Sequence, residues 1–426
     1  MVTIVIFVAL VGLMMLGVPI AVAMGMTSIL TFVALGQASN LPMIAQRMYS
    51  ATTGFTLLAI PFFILAGNLM NTGGITNRIF RFAKALVGPL AGGLAQVSVV
   101  ASLIFSGMTG SAVAEAAGLG LIEMRAMGDA GYDRRFAAAV IAASSTIGPV
   151  IPPSIPFVIY GSLANVSVGK LFLAGFVPGG LMAIVMMIAV FFTARRRKYP
   201  RESRSSVKEV VVSFRDSLLP MGTPVIIIGG ILGGIFTPTE AAVIACAYAL
   251  ILGLFVYREL HIRDFARIMW DTALATLRVM FIIAAAGFFG WLLIYQQIAN
   301  QVIASLTSIS SEPVAVLLII IAILLILGCF IEGIAVLVIT IPVFMPIIQK
   351  LAIDPVQFGV VMILASMIGL VTPPVGMSLY AVSSISKVGV GPLSKELTPY
   401  ISGIFLVLML IAFVPQVSLW IPNLLK

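Results

Sequence analysis

The nine residues from Gly148 to Pro156, GPVIPPSIP, carry the pattern with the clearest chemical consequence. Proline lacks a backbone N–H and its ring collides with the preceding helical turn. Pro149, Pro152, Pro153 and Pro156 therefore break any helix through the apolar run from Phe136 to Leu163. Such a break frees carbonyl oxygens, hard ligands that suit a dehydrated alkali cation. It also exposes a half-helix N-terminus, which suits an anion. Lipid satisfies neither group, so the break survives only inside protein or beside a polar cavity. The pattern returns at Gly369–Gly376, GLVTPPVG, where Gly148, Pro152 and Pro153 find Gly369, Pro373 and Pro374 at an offset of 221. Paired broken helices in two halves point to a binding site at the midplane of a secondary transporter.

Hydroxyls lie where such a site would need them. Between Val87 and Ile122, two apolar arms flank Ser106, Gly107, Thr109, Gly110 and Ser111, the pattern of a re-entrant hairpin. The first cation site is accordingly read as the backbone oxygens of Gly148, Ile151 and Pro153 beside Ser106, Thr109 and Ser111. The second is read as Gly369, Thr372 and Val375 beside the Gly328 segment. A plainer reading is that Gly and Pro only permit kinks and close packing, as is common in membrane helices. The pairing of the breaks favours the ion sites.

Glu115, Glu240 and Glu332 stand in apolar surroundings, where ionisable groups mark pathways or buried partners. Glu332, in the second hairpin, can bind a cation or set the charge preference for substrate. Glu115 can instead pair with a hydroxyl or an arginine. Glu240 follows Thr237 and Pro238, which reads at least as well as a helix start. Ser111, Ser154, Glu332 and Arg125 are the candidates for contact with substrate, although Arg125 reads better as an interface anchor. Trp270, Trp291 and Trp420 read as aromatic-belt residues.

The elements that must position these groups span a membrane. Of 426 residues, 61% are hydrophobic and 9% charged, against roughly 25% charged in soluble domains. The chain is expected to be an all-α polytopic membrane protein. Its +9 net charge reports orientation rather than nucleic-acid binding. Cys246 and Cys329 lie in apolar segments and form no CxxC, and the one histidine, His261, gives no metal cluster. No cleavable signal peptide is read at the N-terminus. Gly169-Lys170 is not a Walker A, no HExxH occurs, and no histidine is placed to activate a serine, so no enzyme is expected.

A near-constant offset links the halves: Pro19 with Pro238, Gly67 with Gly287, Gly107 with Gly328, and Pro178 with Pro399. The first repeat is read as 1–194, with a hairpin over 87–124 and a broken helix over 136–163. A basic linker follows over 195–217. The second repeat is 218–426, with a hairpin over 312–349 and a broken helix over 356–386. With the linker placed in the cytoplasm, twenty of the 24 Lys and Arg fall on that side, in accord with the positive-inside rule. Both termini then lie outside, and an odd number of spans per half inverts the repeats relative to each other.

SGMTGSA (106–112), IGPVIPPSIPF (147–157), GIFTPTEAA (234–242) and GLVTPPVG (369–376) together resemble the DctM-type large membrane subunit of the tripartite ATP-independent periplasmic (TRAP) transporters. IPFFILAGNLMNTGGI (60–75) and KLFLAGFVPG (170–179) fit the same family. The resemblance implies an elevator-type transporter of the bacterial inner membrane with a mobile domain built on the two hairpins. It implies sodium as the coupling ion with no resident cofactor, and uptake of C4-dicarboxylates, other carboxylates or sialic acids. It also implies two partners: a small four-helix membrane subunit (DctQ type) and a periplasmic substrate-binding protein (DctP type). Proton coupling is the alternative, and a non-transporting membrane scaffold the more distant one.

Overall fold

A computed structural model describes residues 2–109, 111–202, 206–310 and 312–424; the side chains of residues 76, 105–109, 114, 306, 307 and 309 lie outside the description. All regular elements among the described residues are helices. Eight of them are long and apolar enough to cross a membrane, and several shorter apolar helices accompany them.

The helices form an inner and an outer set. The inner set contains two hairpins, Gly93–Thr109 with Ala112–Asp129 and Pro313–Phe330 with Gly333–Lys350. It also contains two interrupted helices, Arg134–Ser144 with Ile155–Ala164 and Pro355–Leu370 with Met377–Ser386. The long helices Val168–Arg197 and Val390–Phe413 complete it. The sequence repeat sets this arrangement: Ala112 and Gly333 begin matching arms 221 residues apart, and so do Arg134 and Pro355.

The two halves interleave. The second arm of the second hairpin packs on Ile155–Ala164, and the second arm of the first hairpin packs on Met377–Ser386. Val390–Phe413 likewise crosses to Arg134–Ser144, and Val168–Arg197 to Pro355–Leu370. Nearly all side chains of Pro355–Leu370 are buried, so a single apolar core joins both halves.

The outer set comprises the helices between residues 2 and 87 and between 207 and 309. Ala59–Thr72 packs on Pro238–Ile251, and Ile262–Tyr295 packs on Ile20–Ala34 and Met43–Thr52. Val2–Met15 buries only Ile6 and Leu10, while Ile4, Val5 and Val8 are exposed. An apolar face this open suits lipid rather than water.

Within the basic linker 195–217, residues 195–197 and 207–217 belong to the flanking helices. Arg195, Arg196 and Arg197 form the last turn of Val168–Arg197, where cations complement the helix dipole. The next helix starts at Val207, because the Ser206 hydroxyl accepts a hydrogen bond from Glu209 N–H at 3.1 Å. The connection is tied down by Lys84–Glu202 at 3.2 Å and by Tyr132 Oη donating to the Pro200 carbonyl at 2.8 Å. Trp270 and Trp420 are exposed, as belt residues should be, but Trp291 sits in an aromatic cluster with Phe32, its ring 5.1 Å from the Arg47 guanidinium.

Candidate cation and substrate site

At the first break, helix stops after Ser144 and restarts at Ile155. Ser154 is the N-cap: its hydroxyl accepts from Phe157 N–H at 3.3 Å and donates to the Pro149 carbonyl. Pro156 sits in the first turn, where its missing N–H matters least. The Pro152–Pro153 peptide is cis. Among the described residues, the carbonyls of Gly148, Ile151 and Pro153 accept no backbone hydrogen bond, so three hard oxygens are available at one turn of buried chain.

The second break repeats the plan with different parts. Pro355–Leu370 ends, the Pro373–Pro374 peptide is cis, and Met377–Ser386 begins after Gly376 at φ +58°. Thr372 Oγ1 donates to the Ile368 carbonyl at 2.6 Å, leaving its lone pairs for a ligand. Thr372 N–H takes one lone pair of the Gly369 carbonyl at 2.9 Å, and the Val375 carbonyl accepts no backbone hydrogen bond. Gly376 N–H donates across to the Cys329 carbonyl at 2.9 Å, stitching this break to the tip of the second hairpin. Gly328 meets Gly369 there, and a Cβ on Gly369 would stand 2.5 Å from the Gly328 Cα.

All four residues expected at the second sodium site are thus brought together. At the first, Gly148, Ile151 and Pro153 are gathered by the break, and Ser111 stands at the adjoining hairpin tip. Thr109 and Ser106 belong to the arm Gly93–Thr109, but their side chains lie outside the described residues.

The hairpin tips meet each other at one small cavity. Ser111, Pro149, Pro156, Glu332, Met367 and Leu370 line it, and its volume is about 10 Å³. That is at the lower limit for a single water, roughly 10–15 Å³, so the tips must part before an organic ligand enters. Both hairpins and both interrupted helices contribute to the lining.

The four substrate candidates separate here. Ser111 and Glu332 line the cavity. Ser154 is fully buried, with both the donor and the acceptor roles of its hydroxyl committed within the break; it is a helix cap and does not reach the cavity. Arg125 is exposed, fourteen residues beyond Ser111 along one helix, which is roughly 20 Å at 1.5 Å per residue. Glu332 has a second duty that the sequence reading missed: its Oε2 accepts from Ile334 N–H at 3.1 Å and Ala335 N–H at 3.4 Å, capping the second arm. Glu240 is the helix-start residue its context indicated, in a capping box with Thr237.

The sequence reading also missed the contacts across elements. Gly328 and Gly369 touch backbone to backbone, and Gly148 lies against the Glu115 carboxylate. The signal available was that Gly107, Gly328, Gly148 and Gly369 share the offset of the repeat, but nothing local says which glycine faces which.

Comparison with known proteins agrees with this architecture. The family described as "Tripartite ATP-independent periplasmic transporter, DctM component" matches residues 7–417. The chain is 43% identical over 413 residues to the sialic acid TRAP transporter large permease protein SiaM of Vibrio cholerae, covering 97% of this chain and 96% of that one. It is 38% identical over 441 residues to the C4-dicarboxylate TRAP transporter large permease protein DctM of the same species, covering 98% and 97%. Among solved structures, the Alcanivorax borkumensis YdaH transporter superposes with a TM-score of 0.66 at 16% identity, over 91% of this chain and 90% of that one, a likeness of fold alone. The chain is therefore a multi-pass membrane protein that belongs to the DctM family, the large permease component of the tripartite ATP-independent periplasmic transporters.

Proposed function

We propose that this permease carries an organic acid into the cell together with sodium ions, by an elevator movement of its inner helices against the outer ones. The acid is a C4-dicarboxylate, another carboxylate or a sialic acid, consistent with the substrates named for the relatives in Vibrio cholerae. A DctP-type binding protein delivers it from the periplasm, and a DctQ-type four-helix subunit completes the membrane complex. Residues 1–194 and 218–426 are the inverted repeats. The basic connection between them faces the cytoplasm and both termini face the periplasm.

One observation carries this reading. Carbonyls without backbone hydrogen bonds occur in both breaks, at Gly148, Ile151 and Pro153 and at Val375, and the two hairpin tips beside those breaks meet at the Ser111–Glu332 cavity. Carbonyls without backbone donors, buried at Gly148, Ile151 and Pro153 and half-buried at Val375, suit a cation, and a cation on either side of the cavity supplies the positive field that an organic anion requires. The packing of the hairpins and interrupted helices on one another, and of the outer helices on one another, supports a movement of one body against the other.

The test is uptake of labelled organic acids into proteoliposomes containing this chain, its small subunit and its binding protein. Uptake is expected to require an inward sodium gradient and the binding protein, and to cease when potassium replaces sodium. Uptake that persists without sodium but follows a proton gradient overturns the sodium reading and moves attention to Glu332 and Glu115.

A further inference from the structure

We infer that Glu115 supplies the negative charge for the cation held at the first break, so that the two cation sites are electrostatically unequal. This inference rests on the sodium reading above. Glu115 lies in the first turn of Ala112–Asp129 and is 4% exposed. Neither of its carboxylate oxygens has a hydrogen-bond partner among the described residues. The Ser102 hydroxyl is its polar neighbour, but no hydrogen bond of acceptable geometry joins the two. Glu115 also forms no ion pair with a described residue.

The carboxylate is aimed at the break. A Cβ built on Gly148 would stand 2.5 Å from Glu115 Oε2, so glycine is the residue that lets the carboxylate approach the chain here. The same break carries the Gly148, Ile151 and Pro153 carbonyls that accept no backbone hydrogen bond. An ionised carboxylate buried without a partner is strongly unfavourable. So is a cation surrounded only by neutral dipoles in a medium of low dielectric. A cation between Glu115 and the three carbonyls resolves both problems at once. Glu123, two helical turns further on, already has one oxygen occupied by the Ser98 hydroxyl.

The second half lacks this arrangement. The position matching Glu115 at +221 is Val336, fully buried and apolar. The acid of that half, Glu332, matches Ser111 instead; it stands at the cavity and is engaged as a helix cap. The ligands assigned to the second site, Gly328, Gly369, Thr372 and Val375, are all neutral oxygens, and the Glu332 carboxylate stands outside that set with its Oε2 on the helix N–H groups. The first site becomes neutral when filled, whereas the second acquires a net positive charge. The first should fill at lower sodium, and the second should depend on the substrate anion beside it.

The decisive variant is Glu115→Gln, which keeps the shape and removes the charge. In proteoliposomes with both partners, the sodium concentration for half-maximal uptake is expected to rise at least about 10-fold, with substrate half-saturation at saturating sodium unchanged. In purified protein, a titration with sodium chloride against choline chloride is expected to lose its low-concentration phase of thermal stabilisation. Wild-type uptake indifferent to sodium would defeat the sodium reading itself. Sodium-dependent wild-type uptake with the same half-saturation in Glu115→Gln would leave that reading standing and overturn the role of Glu115. If Glu115→Gln does not fold, Glu115→Asp retains the charge but withdraws it by one methylene. A several-fold weaker sodium dependence in that variant supports the inference, and an unchanged one overturns it.

Discussion

The two breaks occupy matching places in the repeat and are held open by different means. At the first, one side chain does the work: Ser154 caps the restarting helix and binds the Pro149 carbonyl. The matching position in the second half is Val375, which has no hydroxyl. There the helix restarts from Gly376 in the left-handed region, and its N–H reaches out to Cys329 of the neighbouring hairpin. The glycines differ in the same sense: Gly148 faces a carboxylate, while Gly369 faces the backbone of Gly328. The first break is self-contained, and its link to the hairpin is a side chain that can swing. The second break and its hairpin are joined backbone to backbone and must move together. A symmetric architecture thus distributes rigidity and charge unequally.

Gly369→Ala should break this comparison most severely. Its Cβ would lie 2.5 Å from the Gly328 Cα and 2.6 Å from the Gly328 carbonyl carbon, and backbone cannot rotate aside. Overpacking of this kind typically costs about 1–3 kcal/mol, so a clear fall in melting temperature is expected, with uptake below about a tenth of wild type. Gly148→Ala meets only the end of the Glu115 side chain, at 2.5 Å. It should melt close to wild type while weakening sodium dependence. Equal melting losses in the two variants would remove the distinction between a rigid and a yielding contact.

Thr372→Val and Ser154→Ala should show opposite signatures. Thr372 donates to Ile368 at 2.6 Å and keeps its lone pairs for a ligand. Replacing it should raise the sodium concentration for half-maximal uptake about 10-fold, with stability changed by about 1 kcal/mol or less. The Ser154 hydroxyl already donates to Pro149 and accepts from Phe157 as a helix cap, and it does not line the cavity. Its loss should lower stability by about 1–2 kcal/mol and leave sodium and substrate half-saturation where they were. Sodium titrations of uptake, run beside melts of the same preparations, decide the matter. A shift in substrate half-saturation for Ser154→Ala would return that residue to the cavity.

The breaks, the hairpins and their offset were legible in the sequence because proline and glycine act locally: each Pro forbids a hydrogen bond whatever surrounds it. The proposed second cation site draws on the same local signal, since Gly369, Thr372 and Val375 lie within seven residues of one break. What was not legible depends on which faces meet. Ser154 looked like a polar residue open to substrate, yet its hydroxyl is consumed three residues downstream and five upstream. Glu332 and Glu115 look alike as lone acids in apolar sequence, yet one caps a helix and the other is buried against a glycine of a different element. The stretch 195–217 reads as a linker by charge, and charge alone does not tell that residues 195–197 and 207–217 extend the flanking helices, the second of them capped by Ser206.

Arg125 offers the smallest effect and the sharpest check on where the substrate lies. A guanidinium that binds the anion must reach the cavity between Ser111 and Glu332. Arg125 is exposed and removed from Ser111 by fourteen residues of continuous helix, and its counterpart in the second half is the uncharged Pro346. The proposed cytoplasmic placement of this end of the helix accounts for a cation there. Arg125→Gln is therefore expected to change substrate half-saturation by less than about 2-fold, the range of an ordinary surface substitution. Its effect should appear, if anywhere, in how much protein inserts in the correct orientation, measured by protease accessibility of the 198–206 connection. A 10-fold or greater rise in substrate half-saturation at unchanged orientation would mean that the anion is met at the end of the first hairpin rather than at its tip. The cavity between the tips would then cease to be the substrate site, and the proposed cation sites at the breaks would stand or fall on the sodium titrations alone.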